Sequence, residues 1–145
     1  MYPPGHVGLT AVLFTPLVYW FRLRGRRQAA TECLLVALVL SVLPDIDKLL
    51  PGLVHRGVTH TVWFATAVAG LVVAGGYAAL SMIPVALPAL PLALLLGASV
   101  FLGLLSHLFA DALTVGGGSH AIRPFHPLSP HPFRLALVRA DSRLA

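Results

Sequence analysis

Four apolar runs, at about residues 7–21, 29–43, 59–83 and 90–113, occupy most of this chain and leave little polar surface for contact with water. Of 145 residues 57% are hydrophobic and 10% are charged, and the mean hydropathy is +0.86. A soluble domain carries about a quarter charged residues, so a globular domain, a disordered tail, a coiled coil and an ordinary cytosolic enzyme are all excluded. The reading is all-α: a multi-pass bundle of about four transmembrane helices. At 1.5 Å per residue, fifteen residues rise only about 22 Å against a hydrocarbon core of about 30 Å. The first two runs are therefore expected to be short helices whose polar ends dip towards the membrane interior or thin the bilayer. Runs three and four are long enough to cross.

Punctuation sets the organisation. The first residues read as the start of the first helix, since no positive region or small-residue cleavage site marks a signal peptide. Pro84, Pro88 and Pro91 mark the turn between runs three and four, and Gly116, Gly117 and Gly118 close the last helix. Residues 1–115 then form the four-helix membrane domain. Residues 116–145 form a Gly/Pro-rich capping loop and tail, with a short interfacial helix expected around 133–139. The single cysteine, Cys33, excludes a disulfide framework and a thiolate zinc module, so any metal must use His and carboxylate ligands. The net charge of +5 draws on Arg22, Arg24, Arg26 and Arg27, clustered directly after the first run. Their placement suits anionic lipid headgroups and argues against nucleic acid.

The few ionisable groups are sorted. Carboxylates at membrane depth are costly and are functional or paired. In a bundle of four crossings, the start of helix one, the end of helix two, the start of helix three and the end of helix four share one side. His6, Asp45, Asp47, His55, His60, His107 and Asp111 all fall there. His107 and Asp111 stand at i and i+4 on one helix face, and Asp45 and Asp47 are separated by one residue after Pro44. His with carboxylate suits Zn²⁺ or another divalent ion, and seven candidates permit two metals, or one metal with a base and supporting partners. Plainer readings stand beside this one. Asp45 alone can cap a turn, Thr59 can cap helix three, and Arg56 can face headgroups. His107 with Asp111 can be a buried pair that fastens helices. His120, His126 and His131 read as solvated loop residues, and Glu32 as an interfacial group on the other side. Gly70, Gly75, Gly76, Gly97 and Gly103 read as close helix packing.

His6 with Gly8, the run Leu43-Pro44-Asp45-Ile46-Asp47, the run His55-Arg56-Gly57-Val58-Thr59-His60, Ser106-His107, Asp111-Ala112-Leu113-Thr114 and Pro124-Phe125 appear in this order. Over roughly residues 5–125 this pattern resembles the YdjM-like family of LexA-regulated inner-membrane metal-dependent hydrolases, distantly similar to zinc-dependent phospholipases C. The resemblance implies a multi-pass inner-membrane protein with a hydrolase site, and candidate ligands His6, Asp45, Asp47, His55, His60, His107 and Asp111. The expected activity is hydrolysis of a phosphoester in a lipid or lipid-linked substrate. Zinc is the favoured ion, with manganese or iron next; Asp47 or Asp45 would act as base, and Arg56 would neutralise phosphate. The alternative is a non-enzymatic membrane protein with a structural or transported metal ion. The apolar midsections of the helices argue against transport, and His107, the one helix-embedded histidine candidate, argues against haem. Membrane lipids are the expected partners, and the arginine cluster places the site on the outward face. The sequence assigns no oligomeric state.

Overall fold

The protein, seen in a computed structural model that describes residues 3–83, 88–115 and 121–139, is a helical bundle. Helix α1 spans Pro3–Leu23, α2 Arg27–Leu40, α3 Val62–Ser81 and α4 Ala89–Leu113. Two 3-10 segments, Leu43–Leu49 and Val58–His60, join α2 to α3. With its first 3-10 segment, α2 makes a candidate span of 23 residues, Arg27–Leu49, and all four spans are long and apolar enough to cross a bilayer.

Helix α1 is longer than expected: its 21 residues rise about 31 Å, a full crossing. The added length comes from Pro3, Pro4 and Gly5 ahead of the apolar run, residues expected to belong to the first helix. In a first turn the two prolines lack only amide protons that have no helical partner, so they begin the helix as expected. Helix α2 is short, as expected, because Pro44 at the start of the 3-10 segment enforces a tighter path.

Small residues let the helices approach closely. A side chain at Gly103 would stand 2.7 Å from the Ala37 carbonyl oxygen of α2, and one at Gly97 would meet Val73 and the Ala69 carbonyl of α3. Ala65, Ala69, Val100 and Leu104 fill the α3–α4 core. A methyl at Gly70 or Gly75 would meet nothing within 4 Å, so neither is needed for the close approach expected of them. Leu71 and Val39 are among the side chains turned outward, where lipid is their solvent.

The tail segment is extended where a short helix was expected at 133–139. Strand β1, Thr114–Val115, pairs in parallel with β2, Val138–Arg139. The amides of Leu135 and Leu137 donate to Ala112 and Leu113, carbonyls left without partners where α4 ends. Ile122 bridges Phe133, and the Val62 amide donates to Pro124 at 2.8 Å, so residues 121–139 strap the end of α4 and the start of α3. Gly116–Gly118, His120 and Pro84 lie outside the described residues.

Candidate metal centre

The polar groups gather near one end of the bundle. His6 lies one turn into α1, His107 and Asp111 lie in the last two turns of α4, and the 3-10 segments bring Asp45, Asp47 and His60 between them. The sorting expected from the sequence is realised. His6, His60 and His107 have no solvent exposure, and Asp47 and Asp111 are buried. His55 stands at the exposed edge of the group, its side chain 40% exposed, and Lys48 pairs with Asp45. The arginine cluster follows α1 at the opposite end.

Two backbone and side-chain contacts decide which imidazole nitrogens face inward. His107 Nδ1 lies 2.6 Å from the Ser41 carbonyl, which can only accept, so Nδ1 carries the proton and Nε2 presents a lone pair. Thr59 Oγ1 donates to Asp47 Oδ2 at 2.9 Å, so at 3.0 Å from His60 Nδ1 it must accept. His60 Nε2 is thereby also a lone pair. The two Nε2 atoms face each other at 3.2 Å, an arrangement that requires a cation between them or a proton on one ring.

Two carboxylate oxygens complete this group. Asp111 Oδ2 is 3.3 Å from His60 Nε2 and 3.6 Å from His107 Nε2; Asp45 Oδ1 is 3.7 Å and 3.8 Å from the same atoms. A tetrahedral ion with bonds of about 2.0–2.2 Å has ligand-to-ligand edges of about 3.3–3.6 Å. Five separations, 3.2–3.8 Å, lie near these edges, while Asp45 and Asp111 fall in two different groups that share His107. Asp45, His60 and His107 form one group close enough to hold a metal, and His6, His107 and Asp111 form another. Both ring nitrogens of His6 are buried without a hydrogen-bond partner, its Nε2 is 3.7 Å from Asp111 Oδ1, and its ring stacks on His107 at 3.9 Å. A buried imidazole left so costs about 1–3 kcal/mol unless something binds it.

The remaining carboxylate supports the others. Asp47 accepts from His55 Nδ1, the Arg56 amide and Thr59, and lies 3.3 Å from His60 Nδ1. These contacts make it a holder of His55 and His60, the arrangement by which metal-binding histidines are oriented. Asp47, His55 and His60 also come within ligand distance of one another. Arg56 adopts a left-handed φ of 63°, strained for a side-chain-bearing residue. The turn lets its amide reach Asp47 while its guanidinium meets Asp111 Oδ1 at 2.7 Å, so it points inward rather than at headgroups. Burial pushes the His60 imidazole down, but the Asp111, Asp45 and Asp47 carboxylates outweigh it and hold its pKa above the ordinary 6.5.

Thr59 and the Ser41 carbonyl were not legible as parts of the site. The sequence suggested Thr59 as the cap of α3, but Thr61 takes that place, accepting from the Phe64 amide. Position next to His60 was the one signal for Thr59, and a backbone carbonyl leaves none. Glu32 accepts from Gln28 on the exposed surface of α2, away from the centre.

The sequence model of the YdjM inner membrane protein family matches residues 1–144, and the chain belongs to that family. No curated protein and no solved structure matches it.

Proposed function

We propose that this YdjM inner membrane protein is a metal-dependent hydrolase of a phosphoester bond in a lipid or lipid-linked substrate. The observation that carries the reading is the pair of facing Nε2 atoms of His60 and His107, 3.2 Å apart and each 3.3–3.8 Å from carboxylate oxygens of Asp45 and Asp111. These four residues would hold the ion, zinc first, with manganese or iron next, and His6 would extend the set. The chemistry supplied by a bound divalent cation is Lewis acidity: a water acidified towards a pKa of about 7, and charge drawn from a phosphoryl oxygen.

The protein's own groups do the rest. His55, held through Nδ1 by Asp47 at the exposed edge of the group, takes the proton from the attacking water, and Asp47 stabilises the resulting imidazolium. Asp45 has one oxygen among the ligand atoms and the other 2.9 Å from Lys48, an arrangement that suits binding better than proton uptake. Arg56, fixed by Asp111, keeps a positive charge beside the ligand set where a phosphate oxygen is attracted. The arginine cluster at the far end supports a cytoplasmic location for that end and an outward-facing centre.

Elemental analysis of detergent-purified protein tests the first step. Stoichiometric metal is expected in the wild type and none in His60→Ala or His107→Ala. His55→Gln is expected to keep its metal and to lose about 10²- to 10⁴-fold in phosphodiester hydrolysis. Protein that takes up no zinc, manganese or iron refutes the hydrolase; protein that binds metal but cleaves no phosphoester has a structural ion instead.

A further inference from the structure

Beside the candidate metal centre, and away from the exposed His55, a groove of about 350 Å³ opens on the outer face of the bundle between α1 and α4. The volume falls at the lower end of small-molecule sites, about 300–1,000 Å³. Leu13, Phe14 and Leu17 form one wall, and Leu102, Leu105 and Phe109 the other. Ser106 is the one polar residue in the lining. On α4 the lining residues recur at i, i+3, i+4 and i+7, one face of the helix. On α1, His6, Thr10 and Phe14 recur every four residues and are all buried, so the face that lines the groove also carries a candidate ligand. From His6 to Leu17 is about 16 Å along the helix, which takes the groove from the centre towards the bilayer middle.

Between groove and centre stands one polar contact. Thr10 Oγ1 and Ser106 Oγ are 2.5 Å apart, Thr10 is also 2.8 Å from the His6 carbonyl, and Ser106 is 2.7 Å from the Gly103 carbonyl. Two hydroxyl protons are thus shared among three contacts. Separating the hydroxyls leaves each with a carbonyl acceptor, so parting them strands no donor.

We propose that the groove holds an acyl chain of the lipid substrate, entering sideways from the bilayer, with Thr10 and Ser106 as the latch between chain and centre. The inference rests on the hydrolase reading and names the part of the substrate that the centre itself does not recognise. Six of the seven lining residues are apolar and the volume is about 350 Å³, which suits a single acyl chain. The headgroup ester would sit at the level of His6 and His107, and the chain would run down past Leu105 and Leu17.

The test uses metal-loaded protein in phosphatidylglycerol nanodiscs containing a phospholipid with a diazirine on a palmitoyl chain. Photolabelling at Leu13, Leu17, Leu105 and Phe109 is expected to exceed that at Leu71, an outward residue of α3, by about tenfold, the discrimination expected of a modest apolar pocket. Leu102→Trp is expected to reduce groove labelling but not labelling at Leu71. Leu13→Trp, at a half-exposed rim position that tolerates bulk, is the second variant. In both, hydrolysis of palmitoyl lipid should fall about tenfold, while metal content and hydrolysis of a hexanoyl analogue are unchanged. Equal labelling of groove and Leu71 overturns the proposal, as does equal loss for both chain lengths. Selective groove labelling in a wild type that hydrolyses neither lipid supports the groove and removes the reaction instead.

Discussion

Replacing Thr59 by valine removes one hydroxyl while keeping the branched shape of the side chain, and tests whether the relay from Asp47 to His60 sets the metal affinity. Thr59 Oγ1 makes two contacts, 2.9 Å to Asp47 Oδ2 and 3.0 Å to His60 Nδ1, and the residue is only 4% exposed. Without it the His60 Nδ1–H can still turn to Asp47 Oδ2, now 3.3 Å away, and Asp47 keeps its bonds from His55 and the Arg56 amide. The loss is therefore partial. A removed partner of a metal-binding histidine costs about 10- to 100-fold in affinity, or about 1.4–2.8 kcal/mol. The expected result is zinc binding weakened within that range, measured by competition against a chromophoric chelator, with Thr59→Ser close to wild type. His60→Ala should abolish binding in the same assay. Thr59→Val binding zinc within threefold of wild type, in a preparation where His60→Ala does not bind, would refute the relay.

Helix packing makes a paired prediction. Gly103→Ala forces a methyl against the Ala37 carbonyl and should destabilise the protein by about 1–3 kcal/mol in a detergent unfolding assay, whereas Gly75→Ala meets open space and should be neutral or slightly stabilising. Metal affinity should rise with pH until His60 gives up its proton, because its folded pKa lies above 6.5 and proton and metal compete for Nε2. In metal-free protein the sign reverses: protonated His60 stabilises the fold below its ordinary pKa, and the contribution is lost as pH rises through the raised value, as pH-dependent melting would show. Orientation is tested by cysteine labelling. The one native thiol, Cys33, is 1% exposed, so a membrane-impermeant maleimide applied outside intact cells should label His131→Cys at the strapped end and not Gln28→Cys at the arginine end.

What the sequence revealed and what it concealed follow from the range of the interactions involved. Apolar runs report membrane spans because the bilayer averages over about twenty residues, and a helix of known length fixes which ends share a side. That was enough to gather His6, Asp45, Asp47, His55, His60, His107 and Asp111 at one end before any coordinates. The pairing within the set was hidden. Asp47 holds His60 across twelve to thirteen residues of irregular backbone, and Arg56 crosses to Asp111 only because its φ is positive. Neither has a periodic signature. The tail was misread for the same reason: the amides of Leu135 and Leu137 are drawn to the carbonyls at the end of α4, a partner remote in sequence that local propensity does not report.

The charges of the centre bear on what it binds. Irregular backbone at membrane depth is tolerated where it lines a cavity buried in protein, and the 3-10 segments do this around Asp45, Asp47 and His60. Lys48 offsets Asp45, and Arg56 offsets Asp111. Among the described residues, Asp47 receives only neutral donors if the histidines are uncharged, so no cationic side chain is set against it. Counted over Asp45, Asp47, Asp111, Lys48 and Arg56 alone, a proton on His60 brings these side chains to neutrality, and a divalent cation carries them one charge past it. Under the hydrolase reading that excess is useful, because a phosphodiester brings the single negative charge that restores balance, and its acyl chain, lying between Leu17 and Leu105, needs no charge at all.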